Sequence, residues 1–468
     1  MRGFFCRPSA NGGPNFAILT VAEAEYAKLQ DGSSSGGFFH IDTKVCSTQN
    51  GSRSPGAANP MESFWRFVMV AKRQLVSLRT LLLVVLSAPV LLSARSVRAQ
   101  AETVLYTFDG VDGGGPTSGL TRDGARNLYG TTSWGGPFAA GNVYKLSRNG
   151  SGGWNETVLY AFTGGEDGCN PSSGLVFDSA GNLYGTASSG GANGLGVVFE
   201  LTPSPRTTGW EEKVLYSFSG GTGGANPTGG VIFDAEGNLY GTTDDWVDHA
   251  PQTVFELSPH DGGWTERTLY HNYLNGAGLT MDPAGNIFGL GLSTVFELSP
   301  DGKGDWNASV IHTFKGAPGD GRQPFGTLVF DEAGNLYGTT YAGGTNDDGT
   351  VYRLTRGKHG KWSERVLHSF AGGNDDGSNP FSGVVLDAAG NMFGCTTAGG
   401  SIWGGGAGTV FELAPVGRGE YEEKILWDFD VTDGGFPRGT LILDLAGNLY
   451  GTALAGSKGA GIVFKLTP

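Results

Sequence analysis

Ala180-Gly181-Asn182-Leu183-Tyr184-Gly185-Thr186 carries a phrase that the chain writes seven times. Asn-Leu-Tyr-Gly stands at 127–130, 182–185, 238–241, 335–338 and 448–451, with Asn-Ile-Phe-Gly at 286–289 and Asn-Met-Phe-Gly at 391–394. Successive copies are 55, 56, 48, 49, 56 and 57 residues apart. Self-similarity at a period near fifty is the mark of a repeat array, in which each unit buries its apolar face against the next.

Working outward from the phrase, each unit holds four short segments. In the second unit they are Gly174-Leu175-Val176-Phe177-Asp178, then the Asn-Leu-Tyr-Gly segment, then Val198-Phe199-Glu200-Leu201, then Val214-Leu215-Tyr216-Ser217-Phe218. All are about five residues long, rich in β-branched and aromatic side chains, and bounded by Gly, Pro, Asn or Asp, which predicts strands. Nothing resembles an amphipathic helix. Asp178-Ser179-Ala180-Gly181-Asn182 reads as a tight hairpin: an Asp that bonds the turn backbone, a type I turn, then Gly in the left-handed region. Pro283 falls where such a turn accepts proline. In the first unit Arg126 takes the place of that Gly, which is expected to strain the turn by roughly 1 kcal/mol.

Four antiparallel strands repeated seven times predict an all-β, seven-bladed β-propeller over residues 102–468. The two ends support it. The chain finishes after a third-type strand, Val463-Phe464-Lys465-Leu466, while Val104-Leu105-Tyr106-Thr107-Phe108 is a fourth-type strand with no unit before it. Pairing the strand at about 103–108 with the last blade closes the ring and removes an exposed edge. The recurring VLYSF, GLVFD, NLYGTT and VFEL segments, in this order over 103–468, resemble the bacterial tandem-repeat family called GloVer repeats. That resemblance implies an exported bacterial protein. Relatives often end in a surface-anchoring signal, whereas this sequence stops at Pro468 with no hydrophobic tail.

Composition agrees with many strands and tight turns. Glycine is abundant at 82 residues, yet without the three-residue period of collagen, and 11% aromatic content argues against disorder as its cause. Of the 31 basic and 45 acidic side chains, 11 and 5 lie in residues 1–101, leaving 20 basic against 40 acidic in the remainder. Such a surface repels phosphate backbones and anionic lipid, which speaks against nucleic acid as a partner.

Residues 1–60 have no sustained period and read as a disordered extension or as sequence upstream of the true start, with Met61 and Met69 as internal alternatives. Residues 61–101 read as a signal peptide: Lys72, Arg73 and Arg79, the apolar run Leu81–Leu92, then small residues around Ala99 and Ala101. The run is short for a membrane span, so no stable membrane insertion is expected after cleavage. The expected location is secreted, periplasmic or cell-surface. Cys169 and Cys395 fall in the second and sixth units, too far apart in a seven-membered ring for the Cα separation of about 7 Å that a disulfide tolerates.

Strand order sorts the loops onto two rims. Links from fourth to first strand share a rim with the second-to-third loops, and these are the longer and more varied, hence the expected binding face. Unit four is short on that rim: Leu290-Gly291-Leu292-Ser293 replaces a longer loop and Asn275-Gly276-Ala277 a longer link, which predicts a notch over blade four. Around it lie Asp244, Asp245, Trp246, Asp248 and His249 of unit three, and Tyr341, Asp347 and Asp348 of unit five. Carboxylates beside aromatics suit a cation such as Ca2+, a glycan, or a basic peptide or protein. Acidic loops in an acidic chain also arise simply as solvated surface, and no loop has EF-hand spacing. The Asp-Gly pairs at Asp112, Asp167, Asp320, Asp376 and Asp433 read as turn formers.

Catalytic patterns are weak. Gly32-Ser33-Ser34-Ser35-Gly36 matches a nucleophile motif without its strand–turn–helix setting. His312 and His368 stand where other fourth strands have Tyr, and read as structural. His249, His260, His271 and His359 form no metal-binding spacing. Glu200, Glu256, Glu297 and Glu412 share a strand position with Lys145, Arg353 and Lys465, which reads as a solvated strand edge. The leading expectation is a non-catalytic binding scaffold; the alternatives are an extracellular polysaccharide hydrolase or lyase, and a purely structural cell-surface component.

Overall fold

A computed structural model describes residues 101–204, 209–244, 252–272, 274, 277–400 and 406–467. The expected leader and signal peptide in residues 1–100 lie outside the described residues. Seven antiparallel sheets follow one another in a ring, which is a seven-bladed β-propeller with four strands per blade. Blade two is representative: Val176–Phe177, Leu183–Ala187, Val197–Pro203 and Trp210–Ser217 pair in sequence order. The last blade is completed by the first strand, Ala101–Thr107, antiparallel to Ile462–Thr467, with Ala101 opposite Thr467 and Thr107 opposite Ile462. Among the described residues no helix is long and apolar enough to cross a membrane.

Each blade buries one face against its neighbour, so the core is seven seams around an axis. Tyr129, Val143 and Leu159 of blade one form a cluster with Leu175, Leu183 and Phe199 of blade two. The closing seam is packed the same way, Phe108, Tyr450 and Val463 of blade seven meeting Leu120, Leu128 and Tyr144 of blade one. An aromatic ring from the end of each fourth strand meets a third-strand ring of the next blade. Phe108–Tyr144, Phe162–Phe199 and Phe429–Phe464 are edge-on at 5.0, 5.1 and 5.1 Å, a geometry the ring quadrupoles favour. Cys169 and Cys395 are both free thiols, as the ring order predicts.

The recurring phrase is explained residue by residue. Gly181 has φ 89°, and its N–H donates to the Asp178 carbonyl at 3.2 Å, closing the turn. The Asp178 carboxylate accepts from the Ala180 and Asn182 N–H groups (2.8 and 2.9 Å), from Asn182 Nδ2 (2.8 Å) and from the Tyr184 hydroxyl (3.2 Å). Asn and Tyr of the phrase therefore both lock the preceding turn. Leu183 is fully buried in the seam. Gly185 lies under the ring of Phe199: a Cβ there would come within 2.7 Å of it. Thr186 Oγ1 then crosses to the next blade and donates to the Gly229 carbonyl at 3.0 Å. Thr131, Thr242, Thr339 and Thr452 make the matching bonds to Ser173, Ala277, Ser382 and Ser118.

Two strand lengths differ from expectation. The first strand keeps only two paired residues in most blades, because its leading half turns away toward the axis and gives its carbonyls to those threonines. The fourth strand is longer, eight residues in blade two, and carries a bulge opposite Val198 and Phe199. Strict alternation would place Leu215 and Phe218 on opposite faces; the extra residue lets both be buried.

Candidate functional site

The segments that leave the first strands converge on the axis and wall a cavity of about 770 Å3 that opens on the long-loop rim. All seven blades contribute. Aligned on the proline of each link, the residue after it is Thr117, Ser172 and Thr228 in blades one to three, but Phe325, Phe381 and Arg438 in blades five to seven. One arc is thus small and hydroxylic, the other large. Phe325 and Phe381 are stacked, ring centroids 4.5 Å apart and 20° from parallel. The Arg438 guanidinium lies 4.9 Å above the Phe381 ring, and Tyr341 meets both phenylalanines edge-on at 6.0 and 6.1 Å.

The wall is low at blade four, where only residues 291–293 join the second and third strands and Leu292, 50% exposed, lines the cavity. Beside it the Asp244 side chain, buried at the cavity wall, accepts from Gln252 Nε2 at 3.0 Å. Gln252 Oε1 in turn accepts from the Leu274 N–H at 2.5 Å, which ties blade three to the short link of blade four.

The sequence-predicted residues divide accordingly. Asp244 lines the cavity, and Tyr341 buttresses its aromatic wall. Asp245, Trp246, Asp248 and His249 lie outside the described residues. Asp347 and Asp348 are on a blade-five loop. Asp347, with φ 65°, pairs with Arg322 at 2.8 Å and accepts from the Gly343 N–H at 2.8 Å. That N–H, with the guanidinium, holds its carboxyl below the usual range. Burial, with Asp347 and Asp376 nearby, pushes Asp348 up. Phe325, Phe381, Arg438 and Gln252 were not singled out from the sequence. The signal was available as a size change after the link proline, which only comparison of the seven units at that column exposes.

A second set of polar groups lies in the seams. Tyr106 Oη donates to Asp112 at 2.5 Å and Tyr160 Oη to Asp167 at 3.0 Å, while Glu156 and Glu212 of the following blade stand beside these pairs. Asp112 and Asp167 are therefore turn formers that also take a hydroxyl from the strand before. Burial, and then the neighbouring Asp112, Asp167 and Asp433, push Glu156, Glu212 and Glu102 up to about 7. His312 and His368 occupy the tyrosine position, opposite Val295 and Val351 as Tyr160 is opposite Val143. Glu297, unlike the solvated strand edge expected from its position, is buried. It is 5% exposed, pairs with Arg356 at 3.3 Å and takes the Trp362 indole N–H at 3.4 Å, because blade five supplies a cation and an indole over it.

No curated protein matches the chain in sequence. Among solved structures, virginiamycin B lyase from Staphylococcus aureus is similar at 14% identity and a TM-score of 0.48, covering 79% of this chain and 99% of that one. A gluconolactonase from Xanthomonas campestris is similar at 14% identity and a TM-score of 0.40, covering 79% and 89%. The sequence profile of the Gloeobacter/Verrucomicrobia repeat matches residues 95–291 and again 284–468, the whole of the described propeller, and the chain belongs to that family.

Proposed function

We propose that the protein is an exported scaffold that binds a glycan in the axial cavity of its long-loop face without transforming it. The observation that carries this reading is the Phe325–Phe381 stack capped by Arg438, set in a cavity whose opposite arc offers hydroxyls and backbone groups. A sugar ring has an apolar face bordered by hydroxyls, and an aromatic wall with a few convergent polar groups complements it. Asp244 and Gln252, fixed by their mutual hydrogen bond, supply orientation at the low side over blade four. Export follows from the basic, apolar and small-residue order of residues 61–101.

A glycan array run beside a reducing-sugar release assay tests the proposal. Binding without release is expected, with affinity falling about two- to fivefold in R438A, whose exposed guanidinium steadies the Phe381 ring with the ~0.5–1 kcal/mol of an exposed cation–π contact, and further in F381A. Release of reducing ends overturns it in favour of a polysaccharide hydrolase or lyase. Silence in both assays overturns it in favour of a structural component.

A further inference from the structure

We propose that two seams of the propeller, between blades four and five and between blades five and six, are binding sites for a first-row divalent cation of the Zn2+ or Mn2+ class. The donors are His312, Asp320 and Glu364 at the first seam and His368, Asp376 and Glu423 at the second. In each set the ligand atoms all lie within 4.8 Å of one another.

Histidine at a tyrosine position changes the seam. Where the residue is Tyr106 or Tyr160, its hydroxyl reaches the link aspartate, and of the three polar groups only the neighbouring Glu156 or Glu212 keeps an unpartnered oxygen. The shorter imidazole leaves a gap: His312 Nε2 is 3.8 Å from Asp320 Oδ1 and His368 Nε2 is 3.5 Å from Asp376 Oδ2, beyond normal hydrogen-bond length. Both Nε2 atoms are shielded from water and have no hydrogen-bond partner among the described residues, and the same holds for Glu364 Oε1 and Glu423 Oε1 across the gap. Orphaned buried polar atoms are uncommon and call for a partner. A cation held at about 2.0–2.2 Å by each donor spaces the donors by roughly the separation seen here.

The donors are also well fixed. The Asp320 carboxylate accepts from the Lys315 and Gly321 N–H groups at 2.8 and 2.7 Å, and Asp376 from Ala371 and Gly377 at 2.7 and 2.6 Å. His312 and His368 are held edge-on to Phe314 and Phe370 at 4.6 and 4.7 Å. Imidazole with carboxylates favours a borderline cation over Ca2+ or Mg2+, which take oxygen alone. The sites lie in the seams, apart from the axial cavity, so they do not depend on the glycan reading.

The test is metal stoichiometry after equilibrium dialysis of the full chain against Zn2+, with melting temperature read in parallel. Two ions per chain are expected, falling to one in H312Y or H368Y and to none in the double variant, with the metal-induced rise in melting temperature lost alongside. Tyrosine is the residue that blades seven and one carry here, as Tyr106 and Tyr160, so the metal-free double variant should melt close to the unsubstituted chain. E423Q keeps the shape and should remove the second ion alone, which preserves the test if a tyrosine variant fails to fold. A chain that takes up no zinc, or a double variant that retains it on surface histidines, overturns the proposal.

Discussion

Arg126 occupies a backbone position that the other six hairpins give to glycine, and it does so at φ 70°. A side chain in the left-handed region costs about 1–2 kcal/mol, against which glycine forfeits roughly 0.5–1 kcal/mol of chain entropy. R126G is therefore expected to stabilise the protein by about 0.5–1 kcal/mol, and the reciprocal G334R to destabilise it by a similar amount, both measured by urea unfolding. Cys395 poses a related question, since it stands where five other blades place the threonine that bonds across the seam. It is fully buried, and burial pushes its thiol up, so it contributes packing alone. C395T would regain a hydrogen bond to the inner link of blade seven, about 1 kcal/mol for one neutral bond. Its midpoint in urea should rise; a fall would mean that the seam of blades six and seven has no room for the branched side chain.

At the scale of strands and turns, most of the fold was legible because the chain repeats its instructions. Asp178, Gly181, Asn182 and Tyr184 specify one hairpin between them, and six further copies remove the ambiguity that a single short apolar run always leaves. What was not legible is where tertiary demands override the local pattern. The fourth-strand bulge cannot be read from Val214 to Phe218, because it is set by which residues the neighbouring blade needs buried. The shortness of the first strands has the same origin. The cavity wall escaped for a different reason: Phe381 and Arg438 look like ordinary loop residues until the links are brought together at the axis. Ring closure, by contrast, was readable from two unmatched strand types, and it makes a quantitative claim. Phe108 and Phe162 are both fully buried at equivalent places, one in the closing seam and one in an ordinary seam. F108A and F162A should each cost about 3–5 kcal/mol, as truncation of a buried phenylalanine does. An F108A variant near zero in the same unfolding series would show the terminal strand to be loosely held.

For the whole molecule the seams set the pH dependence. Glu102, Glu156 and Glu212 are pushed from the ordinary 4.5 up to about 7, mainly by burial. Between those values the folded state binds protons that the unfolded chain releases, so unfolding becomes easier as pH rises. The stabilisation is complete below about 4.5 and is lost as pH passes 7. The turn aspartates act in the other direction. At Asp178 burial works to raise the carboxyl but is outweighed by the bonds from Asn182, Ala180 and Tyr184, and Asp444 is lowered in the same manner by Asn448, Ala446 and Tyr450. Their contribution is present above the ordinary 3.8 and is lost as pH falls through the lowered values. Together the two sets place maximal stability in mildly acidic solution, near pH 4–5 on this linkage. Melting temperature recorded from pH 3 to 8 should peak there and decline toward neutrality. The acidic surface also repels itself more strongly as pH rises, so the decline alone does not identify its source. The triple variant E102Q/E156Q/E212Q separates the two: glutamine mimics the protonated seam, and this variant should melt higher than the unsubstituted chain at pH 7.5 and have a shallower slope. An unchanged slope would assign the effect to surface charge and leave the buried carboxyls without a role in it.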